Sequence, residues 1–343
     1  MRSTALSRPV RIAAILAAAA LALTACATST PAPVESGNVP DSAFPVTLEH
    51  IYGETTISEK PERVVTIGWN AQDVAVALGV VPVGISDFTW GTVDKYLPWF
   101  VDEVEALDAE LPEILTTSDA GEYDYEQILS LEPDVILAPH SGVTEEEYAR
   151  LTEIAPTVAY DKVAWGADWQ DVTRTVGAAL GQADEAEALL SETNALIDAQ
   201  AAAHPEFADK TFAYGWAWVE GDPALGFYMQ SDAREILLEQ LGFQPSAKIA
   251  ELSKTSTEFY EYVSLEELDS VDADLYVGWS NSQEEYDAML ANPLVASWGP
   301  IADDNAYMMT TQELGWASSQ PSVLSIPYSL DLIVPELAAA IAD

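Results

Sequence analysis

From Phe44 onward the chain alternates short apolar runs with stretches whose apolar positions recur at i, i+3 and i+4. "RVVTIG" (63–68) is nearly continuous in apolar residues, the pattern of a parallel strand buried on both faces. "AQDVAVALG" follows as a helix closed by Gly79, and "VPVGI" (81–85) as the next strand. In "YDYEQILSLEP", Tyr125, Ile128 and Leu129 share one helical face and Pro133 ends the run. "DVILA" (134–138) and "PTVAY" (156–160) are further strands. Strands separated by helices predict βαβ units and a parallel sheet with helices on its faces.

After Asp168 the rhythm changes. The chain reads helical to Ala203, with "DEAEALLSETNALIDAQAAAH" (184–204) as one long run. Such a run spans about 30 Å. The α/β rhythm then restarts with "TFAYGWAWV" (211–219), "REILLEQLGF" (234–243), "SLEELDSVDADLYVGW" (264–279) and "AYMMT" (306–310). The closing "SVLSIPYSLDLIVPELAAAIA" reads as helix, with breaks expected at Pro327 and Pro335.

The restart repeats the order of the first half. "YEQILSLEPDVIL" (125–137) aligns with "LEELDSVDADLYV" (265–277), setting Glu126 over Glu266, Ser130 over Ser270 and Asp134 over Asp274. A Leu-Gly-x-x-Pro segment precedes each phrase, at Leu78–Pro82 and Leu241–Pro245. One helix-into-strand phrase can recur by chance in any α/β chain. Two in the same order around one long helix predict related halves. The expected fold is two doubly wound α/β lobes with mainly parallel sheets, residues 44–167 and 205–343. The helical segment 168–204 carries the single long helix that joins them.

Composition adds the setting. The 57 Asp+Glu against 13 Lys+Arg give a formal charge of −44, with the acids spread between apolar runs as a solvated surface. That field disfavours nucleic acid as a partner. At the N-terminus Arg2, Arg8 and Arg11 flank "IAAILAAAALAL" (12–23), an apolar run too short for a convincing membrane span. It ends in "LTAC" at Cys26, the one cysteine, so no disulfide framework is available. Leu-x-small-Cys at this place resembles a bacterial lipobox. Residues 1–25 are then a lipoprotein signal peptide, Cys26 carries lipid, and the Pro/Ser/Thr-rich residues 26–43 form a flexible tether. One acyl chain anchors only marginally and two or three hold firmly. The expectation is an exported bacterial protein on the outer face of the cytoplasmic membrane. Cleavage takes three of the 13 basic residues and none of the 57 acids, shifting −44 to about −47.

Catalytic templates find little support. "GWSNS" (278–282) lacks the final glycine of a nucleophile elbow, and no glycine-rich phosphate loop is present. His50, His140 and His204 show no metal-ligand spacing. Neither an enzyme nor a resident cofactor or metal is expected. Aromatic residues are the stronger signal. Trp69, Trp90, His140, Tyr160, Trp165, Trp216, Trp218, Tyr228, Trp279 and Trp316 fall at or near predicted strand ends and loops. Ligands of parallel α/β sheets bind at the carboxyl ends of strands. Any single tryptophan would serve in a core, but several of the 10 at strand ends predict a flat or greasy ligand.

"PERVVTIGWNAQDVAVALGVVPVG", "YEQILSLEPDVIL", "IAPTV", the long helix and "VSLEELDSVDADLYV" together resemble the substrate-binding lipoproteins of iron–siderophore ABC importers. These belong to the helix-linked class that also includes cobalamin and haem binders. The resemblance runs from about Phe44 to Ala342. It implies a monomer with a shallow cleft between two lobes, a small closing motion, a ferric siderophore as transported ligand, and docking onto an ABC permease dimer. It places Glu126 and Glu266 against the two permease subunits. Without it, each would be a carboxylate at a helix start, worth about 0.3–1 kcal/mol. Catecholate binders of the family offer several cleft cations, and here only Lys95, Lys162 and Arg234 stand near expected loops. With so negative a chain, a neutral or cationic ferric hydroxamate held by aromatic faces is expected, the iron being ligated by the siderophore. Cobalamin or haem, with Tyr160, Tyr228 or His140 as an axial ligand for haem, remains open. So do an exported siderophore-processing hydrolase and a signalling role.

Overall fold

The computed structural model describes residues 43–88, 95–118 and 121–342, so the expectations for residues 1–42, Cys26 included, and for Trp90 lie outside the described residues. A hairpin of β1 (Val46–His50) and β2 (Gly53–Ile57) opens the first lobe. Its parallel sheet contains β3 (Val64–Thr66), β4 (Gly84–Ile85), β5 (Glu113–Ile114), β6 (Val135–Leu137) and β7 (Thr157–Val158), in the order β5-β4-β3-β6-β7. The connections carry α1 (Ala71–Ala77), α2 (Pro98–Ala106), α3 (Tyr125–Ser130) and α4 (Glu145–Thr152). Then α5 (Trp169–Ala179) and the 21-residue α6 (Ala183–Ala203) lead to the second lobe.

There β8 (Thr211–Trp216) and β9 (Ala224–Tyr228) form a hairpin, followed by α7 (Ala233–Gln240), β10 (Gln244–Pro245), α8 (Ala247–Leu252) and β11 (Tyr260–Ser264). A 3₁₀ turn (Leu265–Ser270) leads into β12 (Leu275–Trp279), α9 (Gln283–Ala291), α10 (Pro293–Ala296), α11 (Gly299–Ala302) and β13 (Ala306–Met309). The chain closes with α12 (Gln312–Ser319) and α13 (Ser325–Ala340). The sheet runs β11-β9-β8-β12-β13, with β10 beside the start of β8.

The two sheets share a plan. β3 pairs with β4 and β6, and β7 lies beyond β6; β8 pairs with β10 and β12, and β13 lies beyond β12, all parallel. The second lobe adds the antiparallel arm β9–β11. The repeated sequence phrases do the same work in each half. Gly79 (φ +78°) and Gly242 (φ +111°) end α1 and α7 in left-handed backbone. The following amides, of Val80 and Phe243, donate back to Ala75 O and Leu238 O at 2.9 and 3.2 Å. Both are Schellman caps, which favour glycine. The Asp134 carboxylate accepts the Glu62 and Arg63 amides (2.7 and 3.0 Å), and the Asp274 carboxylate accepts the Thr211 amide (2.7 Å). Each aspartate thus ties the head of one central strand to its neighbour.

Strand alternation sorts side chains onto two faces. Val64, Val135, Leu137, Phe212, Tyr214, Leu275 and Val277 meet Val172, Ile197, Ile333 and Val334 in one core that contains residues of both lobes. Val65, Ile67 and Ile136 build an outer core of the first lobe, and Ala213, Phe227 and Tyr276 one of the second. Trp316 and Ala317 of α12 pack with Val76, Phe88 and Phe100 of the first lobe. Beneath this seam Asp73 is fully buried and accepts hydrogen bonds from Ser322 Oγ (2.6 Å) and Trp99 Nε1 (2.8 Å). Burial pushes its carboxyl up to about 6, against those two bonds and one from Gln72.

Two expectations for local structure are corrected. Pro335 lies inside α13, which runs unbroken to Ala340. Its packed face (Ile333, Val334, Leu337) offsets the missing amide bond, and Pro327 stands in the first turn, where amides lack helical partners anyway. The phrase at 265–270 is 3₁₀ rather than α, matching the burial of Leu265, Leu268 and Val271 at intervals of three.

Candidate ligand site between the lobes

The first lobe's wall begins at the carboxyl ends of β3 and β6. Gly68 has φ +84°, and any side chain there would overlap the His140 carbonyl. This close approach lets the Trp69 amide donate to His140 O at 2.9 Å. The Trp69 ring then stacks on His140 (6.0 Å, 14°) and tilts against Trp165 (5.1 Å). Trp165 holds left-handed backbone (φ +60°), a conformation unfavourable for a bulky residue, and its indole lies where a side chain at Gly142 would stand. His140 Nδ1 lies 2.8 Å from the Ala167 carbonyl, which can only accept, so the proton sits on Nδ1. Burial lowers the imidazole's pKa to about 4, so the ring is neutral at physiological pH.

The second lobe's wall comes from the start of α7. Asp232 caps the helix, accepting the Arg234 amide (2.9 Å), and its other oxygen takes Arg234 Nη1 at 3.0 Å. The guanidinium lies 3.8 Å above the Tyr228 ring, whose hydroxyl accepts Trp279 Nε1 at 2.9 Å. Burial opposes the charge of Arg234, but Asp232, Tyr228 and Tyr214 outweigh it and raise the pKa. The buried Nε of Arg234 has no hydrogen-bond partner among the described residues. Between these walls lies a cavity of about 200 Å³, lined by Trp69, His140 and Trp165 on one side and Asp232, Ala233, Arg234, Phe259 and Ser319 on the other. A smaller hollow beside it shares Ser319 and adds Trp279 and Trp316. Trp316 also meets Trp69 edge-on at 5.4 Å and Phe88 at 5.6 Å, so aromatic contacts bridge the lobes.

The sequence pattern that defines the periplasmic binding protein family matches residues 64–310. The chain belongs to that family. The Fe(3+)-citrate-binding protein YfmC of Bacillus subtilis (strain 168) is 26% identical over 260 residues, 74% of this chain and 75% of its own length. The crystal structure of Streptococcus pneumoniae TIGR4 PiaA in complex with ferrichrome superposes with a TM-score of 0.77 at 30% identity, over 86% of this chain and 98% of that one. A periplasmic solute binding protein of Mycobacterium smegmatis MC2 155 gives 0.72 at 29% identity, over 87% and 99%.

In this periplasmic binding protein the expected site residues divide. Trp69, His140, Trp165 and Arg234 line the cavity, Tyr228, Trp279 and Trp316 adjoin it, and Trp216 lies tilted (54°) against Tyr228 at 5.2 Å. Tyr160 and Trp218 are not among the residues that line the cavity. The Tyr160 hydroxyl is 3.2 Å from that of Tyr52, in the seam where the β1–β2 hairpin covers β7. Trp218 donates to Asp222 O at 2.8 Å and holds the β8–β9 turn. Of the three candidate cations, Lys95 pairs with Asp87 and Lys162 with Asp161, both well exposed, and neither lines the cavity. Phe259, Ser319 and Asp232 were not anticipated. Asp232 did carry a signal, as an aspartate two residues before Arg234 at a helix start. Glu126 and Glu266 occupy equivalent exposed positions, two residues after the caps Asp124 and Ser264.

Proposed function

We propose that this protein captures a ferric siderophore outside the cell and delivers it to an ABC permease dimer, with no chemistry of its own. A hydroxamate-type chelate is the ligand class the site favours. One observation carries this reading: the interlobe cavity is walled by aromatic rings, a neutral histidine and an arginine already neutralised by Asp232. A site of net charge near zero suits a neutral chelate and, among the described residues, gives a trianionic catecholate or ferric citrate no spare cation. That the similar PiaA is known in complex with ferrichrome supports the same class. Iron stays ligated by the siderophore; among the described residues no cluster of His, Cys, Asp and Glu is arranged to hold a metal ion. Cys26 anchors the monomer by lipid to the outer face of the cytoplasmic membrane, and Glu126 and Glu266 meet the permease.

The test is a titration of tryptophan fluorescence. A ferric trihydroxamate should quench the emission and saturate at one per chain, and a ferric tricatecholate should bind far more weakly. Tighter binding of the catecholate would contradict the ligand class.

A further inference from the structure

Next to the cavity lies a run of rings, of which Trp216 and Tyr260 are only partly buried against the core and Tyr262 is exposed. β11 is an edge strand of the second sheet, and edge strands are commonly guarded by charge. Here Tyr260 and Tyr262 point to one face, and Tyr262 is 58% exposed. On β8, Trp216 stands opposite Gly226 of β9, because Gly215 pairs with Phe227. Any side chain at Gly226 would overlap the Trp216 indole. The ring therefore lies across β9 and reaches the edge strand, edge-to-face with Tyr260 (5.7 Å) and Tyr262 (5.8 Å). Tyr260 and Tyr262 meet at 5.6 Å. The glycine slot and three mutually edge-on rings make a built ladder on a partly exposed sheet edge.

The ladder joins the cavity at two points. Phe259, which lines the cavity, is 4.9 Å from Tyr260, and Trp216 is 5.2 Å from Tyr228, the ring under Arg234. The cavity itself, at about 200 Å³, is smaller than the roughly 300–1,000 Å³ of sites that enclose a drug-sized ligand. A hexadentate chelate seated there must protrude.

We propose that Trp216, Tyr260 and Tyr262 form a second subsite that takes a neutral, planar arm, an aryl ring or amide group, projecting from a ferric hydroxamate head. This rests on the siderophore reading given above. Edge-on rings leave faces open for stacking, and Tyr and Trp combine an apolar face with a polar tip suited to a half-wet groove. Neither tyrosine hydroxyl has a partner among the described residues, so both are available to an amide. The ladder holds no cation, Glu261 lies on the same strand and Glu258 just before it, so an anionic arm gains nothing there.

The experiment uses the mature protein and two neutral ferric complexes of one linear trihydroxamate, its terminal amine capped by an acetyl or a benzoyl group. The benzoyl complex should bind about three- to tenfold tighter, the range of one aromatic pair. In Tyr262→Ala the ratio should fall to near one, and Tyr262→Phe should keep it. Equal affinities in the unaltered protein, or a ratio that survives Tyr262→Ala, overturn the subsite while the head still binds. If neither complex binds, the siderophore reading itself fails, and the subsite with it.

Discussion

Arg234 decides the chemistry of the site, because among the described residues it is the one cation in the cavity wall, and it is not free to act as one. Asp232 holds it at 3.0 Å with both side chains under 10% exposed. Removing one partner of such a pair strands the other's charge, at about 3–5 kcal/mol. Arg234→Met should therefore lower Tm sharply at pH 7. The sign with pH follows from Asp232, whose carboxyl burial already pushes up against the pull of Arg234. An acid with a raised folded pKa destabilises above its unfolded value and is harmless below it. Thermal melts should thus show a much smaller deficit at pH 4 than at pH 7; equal deficits would contradict the pairing. Trp69 and His140 were legible in the sequence because they end strands of the pattern. Tyr160 also ends a strand, but β7 is an edge strand covered by the β1–β2 hairpin, which periodicity does not reveal. Phe259 lies just before an arm that no repeat announces.

At the scale of elements, the repeated phrase separates into parts with different causes. Leu-Gly marks a helix end, the apolar stripe marks packing, and the aspartate ties two strands. For Asp274 burial works against the charge, yet the Thr211 amide and hydroxyl and Lys210 outweigh it and lower the pKa. A lowered carboxyl stabilises above the ordinary carboxylate range and stops doing so as pH falls through its folded pKa. Asp274→Asn should cost about 1 kcal/mol at pH 7 in urea unfolding, and the gap should narrow as pH falls below the ordinary carboxylate range. A gap independent of pH would refute this role. The parallel βαβ pattern was readable from alternation alone. The β9–β11 arm was not, since antiparallel strands of five residues carry little periodic signal beside the flanking strand. Nor was the survival of α13 past Pro335, which rests on partners distant in sequence.

For the whole molecule, a core containing residues of both sheets, with α12 packed on the first lobe, opposes a wide hinge motion. In the function proposed here, recognition by a permease falls to surfaces present in each lobe, and Glu126 and Glu266 hold matching exposed places in related elements. Glu126→Ala combined with Glu266→Ala should leave ligand affinity intact and abolish iron uptake by cells. Loss of affinity instead would assign the two residues to the site or the fold. The duplicated architecture was legible because two phrases recur in one order, whereas the join between the lobes depends on side chains that meet only after folding. That the interlobe cavity holds an iron chelate can be checked by native mass spectrometry of the protein purified from its own host under iron limitation. One iron-bearing hydroxamate released per chain is the predicted result; haem, a corrinoid or an iron-free ligand in its place would contradict it.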